Sequence, residues 1–327
     1  MIGIFKQKSP GNIFLLLIFG LLVKLPLFMY SKNIASTELD GELFESLIEW
    51  LPAENAFYAA LLAFFLLYIQ SLMINHLVNE YRMTPRPHYL PAMAYLLITS
   101  LMPEWTQLSA PLLASTFVIA MFIKLFGLYN TASAKQQVFN IGLLAGLSSY
   151  IYFPSASFVL CILVGLMILK PFRLNEIILF LFGCLTPYYF HAVYLFLTDN
   201  LSLDNFLPSL DVRVPIMKSS FWLAASTLLL TIPFLLGGYF IQLNLGKMLI
   251  QVRKNWSIML LYLLLAFFVP FVNSNQSFHA WVLLMAPFSA FHASAYFFQK
   301  RHLISYILFY ITLGYVFYIQ YGTPTWH

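Results

Sequence analysis

Long runs of apolar residues, separated by short polar segments, dominate the chain. A helix needs roughly 20 residues to cross the hydrocarbon core of a bilayer. Three of the runs, 89–103, 139–153 and 156–170, are short enough to be tilted neighbours or pieces of bent helices. The pattern predicts an all-α membrane protein of about ten or eleven transmembrane helices in one domain, residues 1–327. The runs cover 12–30, 56–75, 89–103, 108–128, 139–153, 156–170, 176–197, 220–243, 256–273, 278–297 and 303–320.

Composition agrees with this pattern, since 61% of residues are hydrophobic and 9% are charged. Soluble domains carry about 25% charged residues. The net charge of +5 does not indicate a nucleic-acid partner, because the cations are scattered singly or in pairs. The histidines and cysteines have no metal-site spacing, and no cofactor is expected. His191 and His292, inside apolar runs, are expected to be buried and hydrogen-bonded.

The distribution of basic residues predicts the orientation. Lys6 and Lys8 precede the first run, which has no small-residue cleavage site and is therefore expected to be a retained span. With the N-terminus cytoplasmic, twelve cations fall inside and three outside. This agrees with the positive-inside rule, places the C-terminus in the periplasm and favours the bacterial inner membrane. Lys24 and Lys124, within runs, are expected to extend their amines to the interface.

The acidic residues are distributed the other way, which the positive-inside rule does not require. Ten of the twelve fall on the external side, and six of those lie in the loop 31–55. From Gly41 to Pro52, apolar residues recur at helical spacing with glutamates on the opposite face. This predicts a short amphipathic surface helix. Its acidic face does not suit anionic headgroups, so we expect the helix to pack on the protein.

Two groups of acids are candidates for chemistry. Glu38 and Asp40, just before the surface helix, are suited to act as a general base or to hold a divalent cation. The alternative is that they cap the helix or favour its first turn. Glu104, beside Trp105 in the next external turn, is a candidate second acid facing the same cavity. The alternative there is an interface anchor centred on the tryptophan.

Three cationic or titratable groups on the external side are candidates for binding a phosphate headgroup. Arg213 and Lys218 lie in the long loop 198–219, and His279 lies at the outer start of an apolar run. The alternative for the two cations is pairing with acids of their own loop. The alternative for His279 is a structural role at the interface.

The segment GLLAGLSSYIYFP, residues 142–154, and the segment HAWVLLMAP, residues 279–287, carry a resemblance. With the external acidic loop after the first span, they resemble membrane glycosyltransferases of the GT-C fold, which use polyprenyl-phosphate-linked sugars. The chain has Ser148, Ser149 and Tyr150 where that family has a basic residue, and it lacks the family's late arginine. It also resembles an uncharacterised bacterial family of multi-pass membrane proteins.

The resemblance implies transfer of a sugar from a polyprenyl-phosphate carrier on the periplasmic face. Asp40, with Glu38, would deprotonate the acceptor hydroxyl, and Glu104 would orient it. The groups that would hold the carrier phosphate are Arg213, Lys218 or His279. Two other functions stay open: a non-catalytic membrane subunit of an envelope-assembly or protein-secretion complex, and a transporter of a lipid or solute. The partners expected are membrane lipid, the lipid-linked sugar and other membrane proteins, with no nucleic acid.

Overall fold

The computed structural model describes residues 2–29, 40–51, 56–131, 134–171, 173–199, 221–272, 278–299 and 302–322. Three predicted site residues, Glu38, Arg213 and Lys218, lie outside these ranges. Within them the chain is helical, and it forms no β-strand. The predicted all-α multi-pass fold is confirmed.

Each of the eleven predicted apolar runs contains helix. Among the described residues, seven segments are long and apolar enough to cross a membrane by length and composition: Gly11–Met29, Ala56–Glu80, Leu174–Leu197, Phe221–Lys247, Ile250–Phe271, His279–Phe298 and Leu303–Gly322. The helices are α1 Ile2–Phe5, α2 Gly11–Met29, α3 Glu42–Trp50, α4 Ala56–Glu80, α5 Leu90–Ile98, α6 Ala110–Phe126, α7 Lys135–Ile151, α8 Ser157–Leu169, α9 Leu174–Leu197, α10 Phe221–Asn244, α11 Ile250–Phe268, α12 Met285–Phe298 and α13 His302–Gly322.

Helix α5 is a half-length helix inside the bundle. Its nine residues are all buried, and it packs against α2, α4 and α12. Nine residues rise about 14 Å, roughly half of the hydrocarbon thickness. The chain then continues through a 3₁₀ turn at Pro103–Trp105 before α6 begins at Ala110. The segment that carries Glu104 is therefore placed by a helix that ends within the bundle.

Lys24 lies at the end of this half-helix and does not extend to the interface as expected. Its side chain is buried at 1% exposure, and its amine donates to the Thr99 and Ser100 hydroxyls, each at 2.9 Å. Those hydroxyls donate to carbonyls of the last turn of α5. A helix C-terminus carries partial negative charge. Lys24 therefore complements the buried end of α5, and Gln320 of α13 donates to the Ser100 carbonyl at 3.0 Å.

Helices α7 and α9 are in backbone contact through glycines. A Cβ on Gly142 would lie 2.1 Å from the Phe180 carbonyl oxygen, and one on Gly146 would lie 2.3 Å from that of Cys184. Glycines four residues apart let membrane helices approach this closely. The GLLAG sequence that carries the resemblance is thus a packing surface, and it fixes the end of α7 beside α9.

Helix α3 forms as the spacing predicted and packs on the protein. Phe44 is fully buried, and Leu47 and Ile48 pack against the core. Glu45 and Glu49 are exposed. The helix contacts α7, so the acidic residues of this segment are held at the end of the bundle where α7 finishes. This end, which carries Asp40, Glu42 and Glu104, is called the acidic end below.

His88, in the connection between α4 and α5, is fully buried. Its ring lies on Phe297 with the ring centroids 4.9 Å apart, and neither ring nitrogen has a hydrogen-bond partner among the described residues. Burial lowers the pKa of His88 to about 4, and the charge of Lys6 adds to the effect. His88 is therefore neutral in the folded protein at neutral pH.

We expect His88 to make the fold sensitive to acid. The unfolded chain takes up a proton below its ordinary pKa of about 6.5, while the folded chain does not until about 4, so stability falls as pH drops through this window. At pH 5 the loss should be about 2 kcal/mol. Unfolding of the protein in detergent at pH 7.5 and pH 5 measures it. His88→Phe should lose this part of the pH dependence, and an unchanged dependence would contradict the assignment.

Candidate functional site

Asp40 and Gly41 lie against the end of α7. The Gly41 amide donates to the Ile151 carbonyl at 2.8 Å, and Asp40 forms an isolated antiparallel bridge with Tyr152. A Cβ on Gly41 would lie 1.7 Å from the Tyr150 carbonyl oxygen, so only glycine allows this approach. The N-cap of α3 is Gly41, and no side chain caps the helix. Asp40 is therefore not the N-cap of α3, which was the alternative to a catalytic role.

Glu104 and His279 face each other across two 3₁₀ turns, Pro103–Trp105 and His279–Leu284. The Nδ1 of His279 donates to the Glu104 carbonyl oxygen at 2.9 Å. Because a carbonyl oxygen only accepts, Nδ1 carries the hydrogen, and Nε2 holds the lone pair of the neutral ring. The indole of Trp105 donates to the Phe278 carbonyl at 2.9 Å and ties the same two turns together.

The Glu104–His279 contact brings two of the predicted residues together, and the charge of Asp40 acts on the same ring. The carboxylates of both Asp40 and Glu104 lie within electrostatic reach of the His279 ring. The Oε2 atom of Glu104 is buried and has no hydrogen-bond partner among the described residues. Leaving a buried carboxylate oxygen unpaired is costly, and a ligand hydroxyl would satisfy it. The arrangement is suited to holding and deprotonating a hydroxyl group.

An apolar cavity of about 260 Å³ lies beside this group of residues. Trp105 and Phe278, the direct neighbours of Glu104 and His279 in the chain, line it. Among the described residues, the serine and threonine side chains that line it all come from α10, at Ser226, Thr227 and Thr231. Its remaining lining residues are Met102, Leu223, Leu230, Phe267, Trp281, Leu284, Met285 and Phe288. Such a surface suits a hydrocarbon group.

A second polar cluster joins α3 to α7 and α9, and the sequence did not reveal it. The Nδ1 of His191 lies 2.8 Å from Glu42 Oε2 and 2.8 Å from the Tyr150 hydroxyl, which in turn donates to Glu42 Oε2 at 3.1 Å. The hydroxyl of Tyr188 donates to Ser149 at 2.9 Å beside it. His191 is buried and hydrogen-bonded as expected, but its partner comes from the acidic loop. The one available signal was a histidine inside an apolar run.

The other predicted histidine, His292, is buried, and its Nε2 donates to the Leu230 carbonyl at 2.7 Å. Lys124 is exposed in the last turn of α6. Within the described ranges no three or more histidine, cysteine, aspartate or glutamate residues are grouped to hold a metal ion.

Both cysteines are free. Cys161 is buried in α8, and Cys184 is half-buried in α9, where its carbonyl faces Gly146. The polar clusters at the acidic end are built from carboxylates, imidazoles and phenols.

No protein-family model, curated protein or solved structure matches the chain.

Proposed function

We propose that this protein is a membrane enzyme that transfers a sugar from a polyprenyl-phosphate carrier to an acceptor hydroxyl at the acidic end of its bundle. The observation that carries the proposal is the convergence of Asp40, Glu104 and His279 beside an apolar cavity. Asp40 and Glu104 are 64 positions apart in the chain, and two separate 3₁₀ turns and the end of α7 position them.

In this proposal Asp40 is the general base, assisted by Glu38, and Glu104 orients the acceptor through its unpartnered Oε2 atom. Removing the proton as the hydroxyl attacks the sugar raises its nucleophilicity, and such positioned bases contribute about 10² to 10⁴ in rate. The carrier phosphate leaves with its negative charge. Arg213 and Lys218 would stabilise that charge, and His279 would add to this effect when its Nε2 is protonated.

The neighbouring cavity supplies a place for the hydrocarbon of the carrier next to its phosphate. Its lining is mostly aromatic and aliphatic, and its three polar residues lie on one helix, α10. A volume of about 260 Å³ holds only the first isoprene units, so the rest of the chain would extend into the bilayer.

The location in this proposal is the bacterial inner membrane with the acidic end in the periplasm. Of the seventeen cations, twelve lie in segments that would then be cytoplasmic. This asymmetry supports the orientation through the positive-inside rule. Fusions of a periplasm-active reporter in the 31–55 and 198–219 loops test it.

The proposal is tested with the purified full-length protein in vesicles and a panel of radiolabelled polyprenyl-phosphate sugars. We expect loss of label from one carrier in the presence of a hydroxyl acceptor, with empty vesicles as the blank. If no carrier is consumed and none binds, the proposal fails.

Filling the cavity should weaken carrier binding. Thr231→Trp places an indole inside the lining, and we expect the KM for the carrier to rise about 10-fold or more, because each lost hydrocarbon contact costs affinity. Leu228→Trp is the matched control, since Leu228 is 59% exposed on the same helix. Equal KM values for the two variants would contradict the cavity assignment.

A second candidate is a non-catalytic subunit of an envelope-assembly or secretion complex. The observation that favours it is Trp50, which is 92% exposed at the end of α3. Exposed tryptophans are common anchors of protein interfaces. Purification in mild detergent with wild-type and Trp50→Ser protein distinguishes the two: a co-purifying partner lost from the variant supports the subunit.

A further inference from the structure

We propose that His191 and Tyr150 are positioning residues that hold the Glu42 carboxylate and thereby fix Asp40 at the acidic end. The inference rests on the proposed function in one respect, the role of Asp40. The geometry itself is a clamp between the surface helix α3 and the transmembrane pair α7–α9. Nothing in the proposed sugar transfer uses these three side chains directly.

The first step is the clamp. The phenol of Tyr150 donates to one carboxylate oxygen of Glu42 at 3.1 Å, and the Nδ1 of His191 lies 2.8 Å from the same oxygen. The imidazole and the phenol are hydrogen-bonded to each other at 2.8 Å and come from different helices. Hydrogen bonds to a charged acceptor are stronger than neutral ones, and a linked network strengthens them further.

The second step is burial. The His191 side chain is 6% exposed and that of Glu42 is 47% exposed, so the clamp has a protected side within the bundle and an open side. The rings of Tyr150 and His191 lie 5.1 Å apart, and the ring of Tyr188 packs on Tyr150 at 5.8 Å. These ring contacts hold Tyr150 and His191 in place independently of the Glu42 carboxylate.

The third step connects the clamp to Asp40. Glu42 is two residues after Asp40, and between them the Gly41 amide bonds to the end of α7. The clamp and the backbone contact therefore act on the same three-residue segment. Without the clamp, α3 would be held by the Phe44, Leu47 and Ile48 side chains, and its start by the Gly41 amide and the Asp40–Tyr152 bridge. The start of α3 would then open more often from the end of α7.

Hydrogen exchange of the full-length protein without substrate tests the inference. In His191→Phe, which removes the donor, and in Glu42→Ala, which removes the acceptor, the α3 amides should exchange about 10-fold faster or more. His191→Asn places an amide N–H near the original Nδ1 and should restore slow exchange. Tyr189→Phe, at a position 65% exposed on the same helix, is the matched control and should match the wild type.

The expected pattern is therefore fast exchange of α3 in the first two variants with α7 unchanged. Unchanged α3 exchange in both His191→Phe and Glu42→Ala would overturn the inference. Because no substrate is present, this result does not depend on sugar transfer. Where transfer is measurable, His191→Phe should lower kcat with little change in the KM for the carrier, and His191→Asn should recover much of it.

Discussion

Replacing Asp40 with asparagine should lower the rate of sugar transfer by about 10³-fold, near the middle of the range for a lost general base. Asparagine has nearly the same shape, and the contact of this segment with α7 is made by the backbone. The variant should therefore fold normally and bind the carrier with an unchanged KM. Glu104→Gln, which keeps an acceptor oxygen, should have a smaller effect.

The measurement is kcat for the carrier that the wild-type protein consumes. Glu49→Gln is the matched control, because Glu49 is an exposed acid on α3 whose loss changes the charge of the loop equally. If Glu49→Gln is as slow as Asp40→Asn, the rate depends on the total charge of the loop and not on Asp40 itself. Full activity of Asp40→Asn would show that Asp40 is not the general base.

Replacing Gly146 with leucine should prevent the native fold. A Cβ at this position would meet the Cys184 carbonyl oxygen at 2.3 Å, and a backbone atom in a packed helix cannot move aside as a flexible side chain does. Separating α7 from α9 would also pull Tyr150 away from His191. We expect a destabilisation of more than about 4 kcal/mol, in the range of severe packing defects.

This prediction is checked by the yield of monodisperse protein in detergent and by its thermal unfolding. Gly314→Leu in α13 is the control, since a Cβ there meets nothing within 4 Å. Gly146→Ala should lie between the control and Gly146→Leu. A Gly146→Leu protein as stable as the control would show that the helices can part without loss of the fold.

Hydrophobic patterning located the helices well, because burial in lipid or protein depends on each residue's own polarity. All eleven apolar runs contain helix, and the spacing of Leu43, Phe44, Leu47 and Ile48 predicted α3. The run 89–103 was expected to be short. The end of α5 at Ile98 was not predictable, because the residues that follow leave the helix only in the context of their neighbours.

Asp40 and Glu104 were expected to face one cavity. Neither lines the apolar cavity, but the carboxylates of both lie within electrostatic reach of the His279 ring. The Glu42–His191 contact joins residues 149 positions apart, and local patterns carry no information on such a partner. The burial of Lys24 was missed for the same reason, since its acceptors Thr99 and Ser100 come from the end of a helix far along the chain.

The position of Lys24 has a consequence for how the protein is made. Its hydrogen-bond partners are synthesised 75 and 76 residues later, and Gln320, which donates to the Ser100 carbonyl, follows 220 residues after Ser100. A lysine facing hydrocarbon costs about 3 kcal/mol during insertion. We therefore expect α2 to enter the membrane before its lysine has a partner, and to become stable there only once α5 lies beside it. Insertion of α2 and α5 is then coupled through one charge.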